Sequence, residues 1–325
     1  MVMDMQIRAM NPIRAALAIA AMAASFMTQL ASAIQVDYQE PTLDRWMYPF
    51  NATNGERNAA SIFGAVGSAG FDDRDAQFIL GFDTTGDFAP GQGASNYQIN
   101  GATLTLTINL DDAFRYDSTY DPYTTYLEGT DPDFVADSDT GRPIELYGVG
   151  YRNGFNASTF QETSDFSPPT PGPTERVRNA YALGSDGTGL VDVSNHVTDA
   201  FDTTPWALGV TDSVSAGSLV PADTEFTFTL NLANPDVLSY FQDSLDDGML
   251  MLTVSSMHSA TRGGSASFPS FYTKDNLLHD PAFGDYLAGQ LSLDVHVIPE
   301  PTTGVLLLVG ASLMFLRRGG KGGVR

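Results

Sequence analysis

Oxygen donors dominate the residues of this chain that could do chemistry. Asp72, Asp73 and Asp75 crowd around Arg74 just before the apolar run 76–82, and Asp131 with Asp133 and Asp137 with Asp139 make two further acidic turns. Hard carboxylate oxygens are what Ca²⁺ takes, so Asp72, Asp73 and Asp75 are expected either to hold Ca²⁺ or to stand as solvated acidic loop. None of these stretches has the spacing of an EF-hand loop. The second chemistry is sugar stacking. Tyr120, Tyr123 and Tyr126 recur every third residue in the polar stretch DSTYDPYTTYLEG, where exposed rings beside carboxylates would grip a glycan and a folded loop would bury the rings instead. Trp46, Tyr48 and Tyr272 are further rings of this kind, whereas Trp206, between Pro205 and the apolar ALGV, is expected in the core.

Catalytic patterns are poor. His196, His258, His279 and His296 are scattered, with no HExxH or other zinc spacing. The sequence GSDG at 184–187 centres no serine in a nucleophile elbow. Aspartates are so numerous that sequence selects no carboxylate pair for glycoside hydrolysis. With no cysteine in the chain, thiol catalysis, cysteine zinc sites and disulfides are excluded. The expectation is a protein that is not an enzyme.

The elements that must carry these residues read as short strands. AQFILGF at 76–82, ATLTLTINL at 102–110, IELYGVGY at 144–151 and the segments 190–193, 206–210, 226–232, 249–254 and 291–298 are strand candidates. In 102–110, Leu104 and Leu106 face one way and Thr103, Thr105 and Thr107 the other, the period-two pattern of a half-exposed antiparallel strand. Residues 111–140 form a long excursion between strands, and 153–178 an ordered loop or an insertion. One helix is expected over 236–244, where Val237, Leu238, Phe241 and Leu245 fall at three-and-four spacing. Many short strands separated by turn residues predict an all-β fold, an antiparallel β-sandwich with the jelly roll as its specific form. FDTT recurs at 82–85 and 201–204, and 102–110 echoes TEFTFTLNL at 224–232, so one elaborated sandwich and a duplicated pair are both open, with one favoured.

Both ends carry addresses. Arg8 and Arg14 precede the apolar run 15–27, and Ala31-Ser32-Ala33 supplies a signal-peptidase site, so residues 1–33 are expected to be a signal peptide removed after Ala33. At the other end come Pro299, Glu300 and Pro301, the apolar run 305–316, then Arg317 and Arg318. The prolines make a stiff non-helical joint, and the run is a short span whose arginines favour the cytoplasmic side. Between these ends, residues 34–298 hold 37 acidic and ten basic side chains, a balance of −27 against −23 for the whole chain. Such a field repels nucleic acid and attracts divalent cations.

The Pro-Glu-Pro joint, short apolar helix and basic pair resemble the PEP-CTERM sorting signal. The resemblance implies recognition and cleavage of the tail 299–325 by an exosortase-like enzyme, with a C-terminal transmembrane helix anchoring the chain transiently. The body more distantly resembles DNRLRE-type domains, jelly-roll sandwiches similar to carbohydrate-binding modules. Gly81-Phe82-Asp83, INGATLTLTI at 99–108 and SFPSFYTKDNL at 267–277 carry that likeness, although Thr273-Lys274-Asp275 stands where the pattern has Ser-Arg-Glu. Together these readings predict a non-catalytic protein exported to the cell envelope or extracellular matrix. Signal peptidase and an exosortase are its processing partners. The alternative is a carbohydrate-binding module that takes extracellular polysaccharide.

Overall fold

The computed structural model describes residues 33–51, 55–168, 174–262 and 265–298, and Ile34–Val295 make one compact unit. Its strands are β1 (Ala33–Tyr38), β2 (Leu43–Met47), β3 (Ala59–Ser61), β4 (Gln77–Asp83), β5 (Tyr97–Thr107), β6 (Ile144–Tyr151), β7 (Ala180–Ser185) and β8 (Leu190–Asp192). They are followed by β9 (Ala207–Leu208), β10 (Glu225–Thr229), helix α1 (Pro235–Asp247), β11 (Met249–Ser256), β12 (Thr261–Arg262), β13 (Ser265–Ala266), β14 (Ser270–Tyr272) and β15 (Gln290–Val297). One sheet has the order β1-β15-β5-β10; the larger runs β2-β4-β11-β6-β7-β8 with β9 on β6, and β12 with β13 and β14 with β3 form two small pairs. This is the all-β antiparallel architecture expected, with a single α-helix among the described residues. The jelly roll is a finer description that these strand orders do not establish.

The core lies on both faces of the large sheet. On β4, Phe78, Leu80 and Phe82 point one way and are fully buried. Phe82 meets Tyr38 of β1 with ring centres 5.9 Å apart, and Leu80 and Leu106 of β5 close around Gly289. The opposite face carries Ile79 with Leu43, Met47, Val149 and Met251, covered by Phe155, Phe160 and Phe166 from the loop after β6. Because both faces are dry, β4 reads as an apolar run without alternation. The small sheet is wet on one side. Thr103 and Thr105 of β5 stand opposite Thr229 and Thr227 of β10, while Leu104 and Leu106 face Phe228 and Phe226.

Helix α1 starts where Asn234 accepts the Asp236 N–H at 3.0 Å and Pro235 takes the first turn, and it stops at Gly248, whose φ of 82° is left-handed. Those caps extend it beyond both ends of the spacing-based expectation. It buries Val237, Phe241 and Leu245 and holds Trp206, whose ring lies 4.8 Å from Tyr240 edge-on. Trp206 is in the core, as expected, at 1% exposure. Gly148 on β6 makes room for it, since a Cβ there would sit 2.1 Å from the indole.

Candidate functional site

The excursion between β5 and β6 leaves the small sheet, turns through a 3₁₀ segment at Tyr123–Tyr126 and returns to the large sheet at Ile144. Bonds to the segments before β9 and between β9 and β10 hold it from outside. Arg115 donates to the Gly217 carbonyl at 2.7 Å, and the Thr211 N–H donates to the Tyr116 hydroxyl at 3.3 Å. Inside, the outgoing limb brings Asp117 and Asp121 against Asp137 and Asp139 of the returning limb, and one oxygen from each lies within 4.8 Å of the other three. Asp117 and Asp121 are buried, Asp137 is half-buried and Asp139 is exposed.

Arg142 closes one side of this cluster. Its Nη1 donates to Asp121 Oδ2 at 2.7 Å and to Asp137 Oδ2 at 2.8 Å, its Nη2 to the Thr125 carbonyl at 3.1 Å, and its guanidinium lies 4.4 Å from the Tyr126 ring centre. Thr119 closes another: its backbone N–H and hydroxyl both donate to Asp117 Oδ1, and its hydroxyl also reaches Asp139 Oδ2 at 2.8 Å. Burial pushes the Asp121 carboxyl up to about 6, with Arg142 opposing and Asp137 and Asp117 adding to the rise. Asp117 is raised by burial too, against the Thr119 bonds and with Asp139 and Asp137 beside it. Like charges at close quarters disfavour each other's ionised form.

Of this cluster, Asp137 also lines a cleft of about 700 Å³. Val66, Leu127, Phe134 and Met257 give it apolar walls, and Asp137 and Arg142 give it a charged end. A groove of about 750 Å³ elsewhere, lined by residues such as Thr107, Asp223, Glu225 and Thr227, brings no comparable cluster together. A second acidic group, Asp44, Glu162 and Asp275, already has its cation. Lys274 Nζ lies 2.6 Å from Glu162, 3.2 Å from Asp275 and 4.0 Å from Asp44.

Asp72, Asp73 and Asp75 are placed differently from the expectation. All three are buried, and Asp72 and Asp73 spend their carboxylate oxygens on donors of the protein. Asp72 accepts from Arg178 Nε at 2.6 Å, from Asn195 Nδ2 at 2.6 Å and from the Arg176 N–H at 2.8 Å. Asp73 accepts from the Thr198 N–H at 2.8 Å and its hydroxyl at 2.9 Å. Asp72 and Asp73 tie the start of β4 to the segments before β7 and after β8, and the three aspartates do not make a shared set of metal ligands. Asp131, in its own acidic turn, accepts the Asp133 N–H at 2.9 Å.

The tyrosines also depart from a flat exposed platform. Tyr120, Tyr123 and Tyr126 are each half-buried. The Tyr120 hydroxyl accepts the Thr203 N–H at 3.0 Å, and the Tyr126 hydroxyl donates to Asp121 Oδ2 at 3.3 Å. Burial raises the Tyr126 hydroxyl well above the ordinary tyrosine value. Three of the histidines, His196, His258 and His279, are buried. Burial keeps His196 well below the ordinary histidine value and lowers His258 to about 3. His279 bonds Glu40 at 3.0 Å and accepts backbone N–H groups of Leu287 and Ala288.

Ala33 begins β1. Ala31, Pro299, Glu300, Pro301, Arg317, Arg318 and the apolar run 305–316 lie outside the described residues. Among the described residues no helix is long and apolar enough to cross a membrane. No family model matches the chain, and neither a curated protein nor a solved structure matches it.

Proposed function

We propose that the chain is a non-catalytic protein exported to the cell envelope or extracellular matrix and processed at its C-terminal sorting signal. The observation that carries this reading is the order Pro299-Glu300-Pro301, apolar run 305–316, Arg317-Arg318, which follows directly on β15. The acidic, cysteine-free sandwich supports it, because a surface of one charge sign stays soluble outside the cell without disulfides. Intact-mass measurement on the protein from its native host is the test. The expected mature species begins at Ile34 and lacks the run 305–316. Exported material that retains Met1 or that apolar run would overturn the reading.

A second reading, binding of extracellular polysaccharide, is favoured by one surface feature. Trp46 stacks on Tyr48 at 4.9 Å, Tyr48 meets Phe50 at 5.6 Å, and Phe50 meets Phe71 at 5.9 Å, with Phe50 55% exposed. A contiguous aromatic band of this kind is a stacking surface for sugar rings. On a glycan array, Phe50→Ala and Phe71→Ala should abolish binding that Tyr123→Ala retains. Wild-type protein that binds no glycan would remove this second reading.

A further inference from the structure

We propose that Asp117, Asp121, Asp137 and Asp139 form a Ca²⁺ site that clamps the two limbs of the excursion between β5 and β6. The first support is geometric. Calcium holds oxygen ligands at about 2.4 Å, so opposed ligands stand about 4.8 Å apart, the spread within which one oxygen from each of these four side chains lies. The limbs are 16 or more residues apart in sequence at this point, and a shared ion would join them.

The second support is an orphaned atom. Asp117 is 4% exposed, and no donor among the described residues reaches its Oδ2. Thr119 satisfies only Oδ1. A closed-off carboxylate oxygen without a partner is costly, and beside three further carboxylates the partner that balances it is a cation. Arg142 leaves room for one. Its bonds to Asp121 and Asp137 both fall on Oδ2, so the Oδ1 atoms are not spent on the guanidinium. Four carboxylates against one guanidinium leave a local charge of about −3, which a divalent ion lowers to about −1. Calcium fits better than magnesium, because an irregular ring of loop carboxylates offers the flexible oxygen shell that Ca²⁺ accepts and octahedral Mg²⁺ does not.

The ion would also set the cleft. Leu127, Phe134 and Asp137 reach the cleft from the excursion, whereas Val66 and Met257 come from elsewhere, so calcium would firm the wall that the excursion supplies. This inference stands apart from the export reading and uses none of its residues.

The test uses the purified full chain with calcium chloride, magnesium chloride or chelator at matched ionic strength. Free calcium a hundredfold above Kd should raise the melting temperature by roughly 5 to 10 °C, with one ion bound per chain by calorimetry. Asp139→Asn, at an exposed position that leaves folding undisturbed, and Asp117→Asn should each weaken binding by roughly ten-fold or more, as ligand charge sets affinity in oxygen sites. Asp133→Asn, in the same excursion but outside the cluster, should change nothing. Calcium should also slow proteolysis within 111–143. Absence of both heat and melting shift would overturn the proposal. So would an equal response to magnesium, or an undiminished calcium response in an Asp117→Asn, Asp139→Asn double variant.

Discussion

Replacing Arg74 by methionine should cost about 3 to 5 kcal/mol of stability, the range for removing one partner of a buried ion pair. Arg74 precedes β4 and bonds Glu145 of β6, and both side chains are closed to solvent. Burial works against the guanidinium charge, and Glu145 beside it more than compensates, so Arg74 holds its proton more firmly than an ordinary arginine. Its guanidinium also lies 5.0 Å from the Tyr147 ring centre. The pair is incompletely satisfied, because Arg74 Nε and Nη2 and Glu145 Oε1 have no partner. Methionine would therefore strand a carboxylate inside the sandwich, and Glu145→Leu would strand a guanidinium, each at comparable cost. The double variant should recover most of the loss, since an apolar pair of similar volume carries no desolvation penalty. Urea denaturation of the four proteins gives the cycle, and a double variant no more stable than the singles would show that packing, not stranded charge, sets the cost. Against a typical total of about 5 to 15 kcal/mol, either single change is enough to threaten folding.

That pair illustrates what the sequence could and could not reveal. Strand β6 is found over the residues expected from IELYGVGY, because an apolar run bounded by a proline and a charged loop has clear ends. Yet Glu145 inside that run gave no sign of its partner 71 residues earlier. The echo between 102–110 and 224–232 has a physical reason. The strands are neighbours, and their threonines lie opposite one another on the wet face, their apolar residues on the dry one. Two adjacent strands under the same constraint resemble each other whatever their origin. Strand β7, AYALGS, was missed because its small residues carry little apolar signal, although Ala180 and Ala182 are fully buried.

The acidic site was legible in parts. Asp137 and Asp139 stood out as an oxygen-rich turn, but Asp117 and Asp121 did not, since only the fold of the excursion brings them across. A legible signal was Arg142 at the close of a stretch dense in aspartate, a cation where charge had to be balanced. The triplet Asp72, Asp73 and Asp75 misled for the complementary reason. Its partners Arg178, Asn195 and Thr198 lie more than 100 residues away, and until they are placed the triplet looks unpaired.

The raised carboxyls should contribute stability with a pH dependence opposite to ordinary acid unfolding, and Asp44→Asn should expose the share of one of them. Burial lifts the Asp44 carboxyl to about 7, against the Lys274 N–H and ammonium and with help from Asp275 and Glu162. Burial also raises Asp75 and Asp121 to about 6. A carboxyl whose folded value exceeds its unfolded value of about 4 binds its proton more tightly when folded. Its contribution is therefore complete below about pH 4 and is lost as pH rises through the folded value. The buried histidines pull the other way. His258 is lowered to about 3 and His196 well below the ordinary value, so their contribution is present above about pH 6.5 and is lost on acidification. Between about pH 4 and 6.5 the two sets oppose, and wild-type stability should change little for its number of buried ionisable groups. Asp44→Asn removes one proton from the carboxylate side. Asparagine can still accept the Lys274 N–H that Asp44 takes at 2.6 Å, and Lys274 keeps Glu162 and Asp275. Plotted against pH, stability of the variant relative to wild type should rise by about 1.4 kcal/mol per pH unit between about pH 4 and 7 and be flat outside that window. Urea midpoints measured with chelator at constant ionic strength give this difference curve. A curve with no slope in that interval would mean that Lys274 holds Asp44 ionised in the folded protein down to ordinary carboxylate pH.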